Sequence, residues 1–229
     1  MLVSPRVLEN EAVAKVVGGQ MDKLIAGAIP ATDRNDLVAA AEAWSGSLLV
    51  SEKLERYRSS FDQVDPVSQY RDCLVGGDEE RGAEIFWNLG TVYCQRCHRI
   101  GNRGGEVGPN LSDIALSKDR RYLLEAIVAP NKTIAENFES TKIIDIDGNT
   151  ISGIVQEETD KYIKLFDSEG KVTKILKDDI EGRKKVGQSS MPSDLVKNLT
   201  PSDVRDLVEF LAKQKTAPDD GVVIPEGNK

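Results

Sequence analysis

Cys94-Gln95-Arg96-Cys97-His98 is the stretch on which the reading of this chain turns. Two thiols three residues apart sit about one helical turn apart, so both can reach the two vinyl groups on one porphyrin edge. The residue after the second thiol then lies under the ring, where an imidazole can bind iron. Cys-x-x-Cys-His is the pattern of c-type haem attachment. The chain has one histidine in 229 residues, and it is His98. The spacing predicts one covalent haem c held through Cys94 and Cys97, with His98 on the iron.

Three other readings compete for the same residues. Structural zinc takes four Cys/His ligands, so Cys73, Cys94, Cys97 and His98 would have to form the complete set. Adjacent Cys97 and His98 would then share one small ion at awkward angles. A thioredoxin-type dithiol wants a strand-to-helix junction, and no strong parallel-strand run precedes Tyr93. A buried core imidazole leaves the paired cysteines unexplained.

The iron needs a partner on its other face if both axial positions are to be filled. No second histidine exists, and the methionines are Met1, Met21 and Met191. Met1 is the start, and Met21 lies in a remote helical segment. Met191 falls in Gly187-Gln188-Ser189-Ser190-Met191-Pro192, read as a polar loop before the terminal helix. An exposed methionine is poor core design there, so Met191 is the candidate sixth ligand; a loop methionine capping the core is the alternative. Thioether ligation favours reduced iron and raises the potential relative to two imidazoles. Arg96, Arg99 and Arg103 cluster beside the attachment site, as solvated surface, as partners of the haem propionates, or as a docking patch for an acidic protein.

Further out, Asp78 is placed to cap a helix through Arg81, Gly82, Ile85 and Phe86, ending at Asn88-Leu89-Gly90. Residues 102–108 form a Gly-rich loop. Ser117 is placed to cap a helix from Lys118 to Val128, which Pro130 stops. Residues 138–182 change period. Strands are expected around Thr141–Ile146, Ile151–Ile154, Tyr162–Phe166 and Val172–Ile175, with turns at Asp147-Gly148 and Ser168-Glu169-Gly170. Asp145, Asp147 and Asn149 lack the later ligands of a calcium loop and suit a tight turn. Thr200-Pro201-Ser202-Asp203 opens the last helix as a capping box, with Val204, Leu207, Val208 and Leu211 as its apolar stripe.

Residues 1–75 read as a helical segment without a cofactor motif. Val7, Val13, Val16 and Val17 lie in one candidate helix. Asp36–Trp44 is Ala-rich, with Thr32 and Asp33 as candidate caps, and Leu49–Tyr57 is a third amphipathic stretch. Residues 76–213 are expected to form the haem domain with a β insert at about 138–182, and 214–229 a flexible tail.

Length allows one large domain or two smaller ones. A formal charge of −8 argues against duplex nucleic acid as a partner. No run approaches the ~20 apolar residues of a membrane span. The start, Met1-Leu2-Val3-Ser4-Pro5-Arg6, has no apolar signal core, whereas covalent haem is normally attached outside the cytosol. The expectation is a periplasmic or otherwise extracytoplasmic protein read here as a mature fragment or excised domain. With Cys94 and Cys97 used, Cys73 is left over, as an intermolecular disulfide, a reactive thiol or a small buried hydrophobe.

The chain resembles the class I cytochromes c over about residues 76–137 and 183–213. Gly82 and Phe86 match the small and aromatic positions of that family's N-terminal helix, and Leu207 and Phe210 the helix that crosses it. Gly108-Pro109-Asn110-Leu111 resembles its Gly-Pro-x-Leu loop. The resemblance implies that the Pro109 carbonyl accepts the proton of the His98 nitrogen not bound to iron.

It is more similar still to a bacterial haem-binding domain family. Val75-Gly76-Gly77-Asp78, Val107 to Leu111, Tyr122 to Ile127, Ser190-Met191-Pro192 and Arg205 to Leu211 carry that likeness. Members often end large secreted proteins, behind a sugar-dehydrogenase-like propeller and HEAT-like repeats, with a β insert between the haem helix and the Met loop. The fold class so implied is mainly α with a small antiparallel β insert: a class I cytochrome c core preceded by a HEAT-like helical segment.

The expected function is one-electron transfer by haem with His98 and Met191 as axial ligands. Its expected partner is a redox protein, by resemblance a fused or associated dehydrogenase, and no enzyme activity of its own is expected. The alternatives are a peroxidase or a gas or redox sensor with a displaceable Met191, and an interaction module forming a homodimer through Cys73.

Overall fold

The computed structural model describes residues 5–167 and 171–216, with side chains from Asn10 onward. Met1, the side chain of Val7, the Ser168-Glu169-Gly170 turn and the tail after Thr216 lie outside the described residues.

Three helices come first: α1 (Pro5–Ile25), α2 (Ala31–Ala43) and α3 (Leu48–Arg58). Pro30 precedes α2, so Thr32 and Asp33 fall in its first turn and are not its caps. A 3-10 turn, Ser68–Cys73, leads to α4 (Glu79–Asn88). Asp78 caps α4 by accepting from the Arg81 N–H. Then follow the single-turn α5 (Cys94–Cys97), the short strands β1 (Arg99–Ile100) and β2 (Arg103–Gly104), α6 (Ile114–Ser117) and α7 (Arg120–Val128). Ser117 ends α6, and α7 is capped by Asp119, whose carboxylate accepts from the Tyr122 N–H at 2.8 Å. Both residues are good caps; Lys118 is extended, so the helix restarts only at the second.

The strands β3 (Glu139–Asp145), β4 (Thr150–Glu158), β5 (Tyr162–Phe166), β6 (Val172–Leu176) and β7 (Ile180–Ser189) make one antiparallel sheet in the order β6-β5-β4-β3-β7. Asp145 closes the β3–β4 turn, accepting from the N–H groups of Asp147 and Asn149. The last helix is α8 (Pro201–Leu211), opened by the Thr200–Asp203 capping box.

This five-stranded sheet overturns the expected fold class. The chain is a mixed α and β protein, not a mainly α class I cytochrome c core with a small insert. Within this sheet the strand that sequence reading missed is β7. Ile180 and Val186 are the only large apolar residues in its ten, because it is an edge strand whose pairing with β3 comes from backbone bonds. Lysine and arginine suit such an edge. The expected insert boundary near residue 182 is therefore too early.

Three apolar cores form among the described residues. One lies among α1, α2 and α3, around Met21, Ala41, Val50 and Leu54. The sheet has its own, built from Ile143, Ile163, Leu165 and Ile175. The largest joins α4, α7 and α8, and it also takes Val67 and Cys73. The expected division at residue 75 thus cuts through a core. Asp36 of α2 pairs with Arg205 of α8 at 2.6 Å, tying the first helices to the last. Gln214 and Thr216, expected to be loose, bond to Ala115 and Ser112.

α4 and α8 cross at Gly82. A Cβ there would lie 2.0 Å from the Asp206 carbonyl oxygen and 2.7 Å from the Phe210 Cβ, so only glycine permits this approach. Phe86 and Phe210 pack beside it with ring centroids 5.6 Å apart. Asp206 is buried among these apolar groups and accepts from the Asp78 N–H at 3.0 Å.

Candidate functional site

α4, through Phe86, and α8, through Leu207 and Leu211, line a cavity of about 360 Å³. Cys94, Cys97, His98, Pro109 and Met191 all line it, so every site residue singled out from sequence reaches one space. The rest of the wall is largely apolar, with Phe86, Leu123, Ile127, Leu207 and Leu211 among its residues.

The α5 turn carries both cysteines. Tyr93, just before it, has φ 49°, a left-handed conformation that is uncommon outside glycine and that redirects the chain into the turn. The His98 N–H donates to the Cys94 carbonyl at 3.0 Å. The following loop folds back: the Gly105 N–H donates to the Gln95 carbonyl at 2.9 Å and the Gly108 N–H to the Cys97 carbonyl at 2.7 Å. The loop therefore grips the turn by its backbone.

That return brings Pro109 against His98. The His98 Nδ1–H donates to the Pro109 carbonyl at 2.9 Å. A carbonyl only accepts, so the proton sits on Nδ1 and Nε2 keeps its lone pair. Burial pushes the His98 pKa below the ordinary imidazole value, opposed by the Pro109 bond. The ring is thus held neutral, which is its metal-binding form. Gly108 makes room for it: a Cβ there would lie 2.7 Å from the His98 Cε1.

Burial also raises the thiols, with Cys94 pushed up to about 11. Cys97 is raised for the same reason, with Arg96 opposing. Both stay protonated at neutral pH. Cys73 is elsewhere: 2 % exposed in the main core, its thiol donates to the Pro201 carbonyl at 3.2 Å. Burial pushes its pKa up to about 12. A thiol so placed does not reach a second chain, which removes the structural basis for a Cys73-bridged dimer. Among the described residues no three His, Cys, Asp or Glu side chains form a metal-holding group, so the four-ligand zinc set is not assembled.

Met191 is half-buried and follows two residues after the end of β7. Of the expected polar loop, residues 187–189 belong to β7, and Met191 lies in the bend that follows. The arginine cluster also differs from expectation, because each member has an internal partner. Arg96 stacks on the Tyr93 ring at 4.5 Å, and Arg103 on Trp87 at 4.3 Å. Arg99 pairs with Glu106 at 2.9 Å. Its Nε is nevertheless buried with no hydrogen-bond partner among the described residues.

Sequence reasoning missed one wall of the cavity, the connection from α7 to β3. Ile134, Ala135 and Phe138 line it from there. They follow no helical or strand period, so nothing local marked them. No known protein family matches the chain, and no curated protein matches it. Among the described residues no helix is long and apolar enough to cross a membrane.

Proposed function

We propose that this chain binds one covalent c-type haem and passes single electrons through it. Cys94 and Cys97 would tether the ring, with His98 and Met191 as axial ligands. The observation that carries the reading is that paired thiols, a neutral imidazole and a thioether line the same apolar cavity. Bound there, a haem supplies a reversible one-electron iron couple.

The residues of the chain then have distinct tasks. The α5 turn presents both sulfurs from a single rigid element. Pro109 fixes the His98 tautomer and orientation and raises its basicity as a ligand. The apolar wall excludes water and favours the less charged state of the site. Met191 would hold the iron as a soft donor, which favours the reduced state. With His98 and Met191 both holding the iron, the chain would leave no site for a substrate. The buried Arg99 Nε, one residue past His98, suits a nearby carboxylate such as a propionate.

On the likeness of its motifs, we place the chain with the bacterial haem-binding domain family and the cytochromes c. An extracytoplasmic location and a dehydrogenase as electron donor belong to the same proposal. The test is an absorption spectrum of protein made in a host competent for cytochrome c maturation. Wild type should show a low-spin reduced spectrum and, when oxidised, a far-red sulfur-to-iron band. Joint replacement of Cys94 and Cys97 by alanine should abolish covalent haem, and Met191→Ala should remove the far-red band while haem stays attached. Colourless wild-type protein would refute the proposal, and a high-spin spectrum would favour peroxide or gas binding.

A further inference from the structure

Two hydrogen bonds in series hold the backbone next to Met191. The Ser189 N–H donates to Asn131 Oδ1 at 2.8 Å. The Met191 N–H donates to Ser189 Oγ at 3.1 Å. Asn131 belongs to the connection leaving α7. Ser189 is the last residue of β7 and pairs with Glu139, the first of β3. The entry to the sheet, its exit and the α7 connection therefore converge two residues from the thioether. Pro192 follows, and it restricts the backbone of Met191 itself.

A thioether is a soft, neutral ligand, so its hold on a metal depends on how often the backbone presents it. Apparent affinity falls in proportion to the fraction of time the competent conformation is populated. The Asn131–Ser189 relay raises that fraction partly from behind the wall: Ser189 lines the cavity, whereas Asn131 does not. The five-stranded sheet supplies the frame, because Ser189 is paired with β3 as well as bonded to Asn131.

We propose that Asn131 and Ser189 are positioning residues that keep the Met191 thioether presented to the cavity, with the sheet as their frame. The proposal rests on Met191 being the second axial ligand.

The holoprotein tests it in four variants, Asn131→Leu, Asn131→Asp, Ser189→Ala and Ser189→Thr. Added imidazole competes with the methionine, and its titration reads how firmly the thioether is held. Asn131→Leu and Ser189→Ala should bind imidazole more tightly by roughly three- to tenfold, the worth of one modest hydrogen bond. Asn131→Asp and Ser189→Thr keep the accepting oxygen and should titrate close to wild type. Amide hydrogen exchange at Ser189 and Met191 gives a readout independent of haem and should quicken in the same two variants. A wild-type far-red band together with unchanged imidazole binding in Asn131→Leu and Ser189→Ala overturns the proposal. Unchanged exchange at both amides overturns it equally. A wild type that lacks the band, with exchange still quickened, keeps the relay as a backbone clamp and removes Met191 as ligand instead.

Discussion

α4 and α8 meet where a glycine leaves no space for a side chain, whereas β3 and β7 meet along a ladder whose register slips at Glu139/Thr141 and again at Ile144/Asp145. Both regions border the cavity, the helices through Phe86, Leu207 and Leu211 and β7 through Ser189, two residues before Met191. The helices achieve position by close packing, which tolerates no added volume. The sheet achieves it by backbone pairing, which accommodates irregularity and many side chains. The lesson is that close packing sets the helical wall of the site, while the thioether follows a strand held by backbone pairing.

Adding volume at the crossing should have the largest effect. Gly82→Val places atoms inside the Asp206 carbonyl contact, and a loss of roughly 3 kcal/mol or more is expected. Urea unfolding measures it, and a midpoint within error of wild type would show that the helices can separate freely. Deleting volume in the sheet comes next. Leu165 is fully buried in a core of four residues. Leu165→Ala should cost about 2–5 kcal/mol. Because that core is separate, hydrogen exchange should quicken in β5 and leave α8 protected. Equal loss of protection in α8 would mean that the two regions fold as one unit.

Acid gives the smallest and most selective contrast. Glu209 of α8 pairs with Arg120 of α7 at 2.7 Å, and this guanidinium holds its carboxyl below the ordinary value. A depressed carboxyl contributes stability above its unfolded pKa of about 4.3 and loses it as pH falls through the lower folded value. Glu209→Gln should therefore flatten the acid limb of the helical region's stability. A pH profile parallel to wild type below about pH 4.3 would remove the pair from that account.

Much of this arrangement was legible in the chain, and the exceptions are instructive. Asp78 and Thr200 announced their helices because capping is local chemistry between residues three apart. The same rule misplaced the start of α7, since Ser117 and Asp119 are both suitable caps and only the backbone at Lys118 chose between them. β7 was invisible because an edge strand needs little apolar alternation. Asp206 escaped notice because a carboxylate within an apolar stripe reads as surface; besides the adjacent Arg205, its partner is the Asp78 N–H, which lies 128 positions away.

Cys94, Cys97, His98 and their spacing were set in the sequence alone, because five consecutive residues define that donor geometry whatever surrounds them. Met191 and Pro109 could be named from sequence, by elimination and by resemblance, but that both reach one cavity, and how the sheet ends beside Met191, were decided by tertiary structure. Those relations join segments that are distant along the chain, and no local preference encodes a distance that only packing creates.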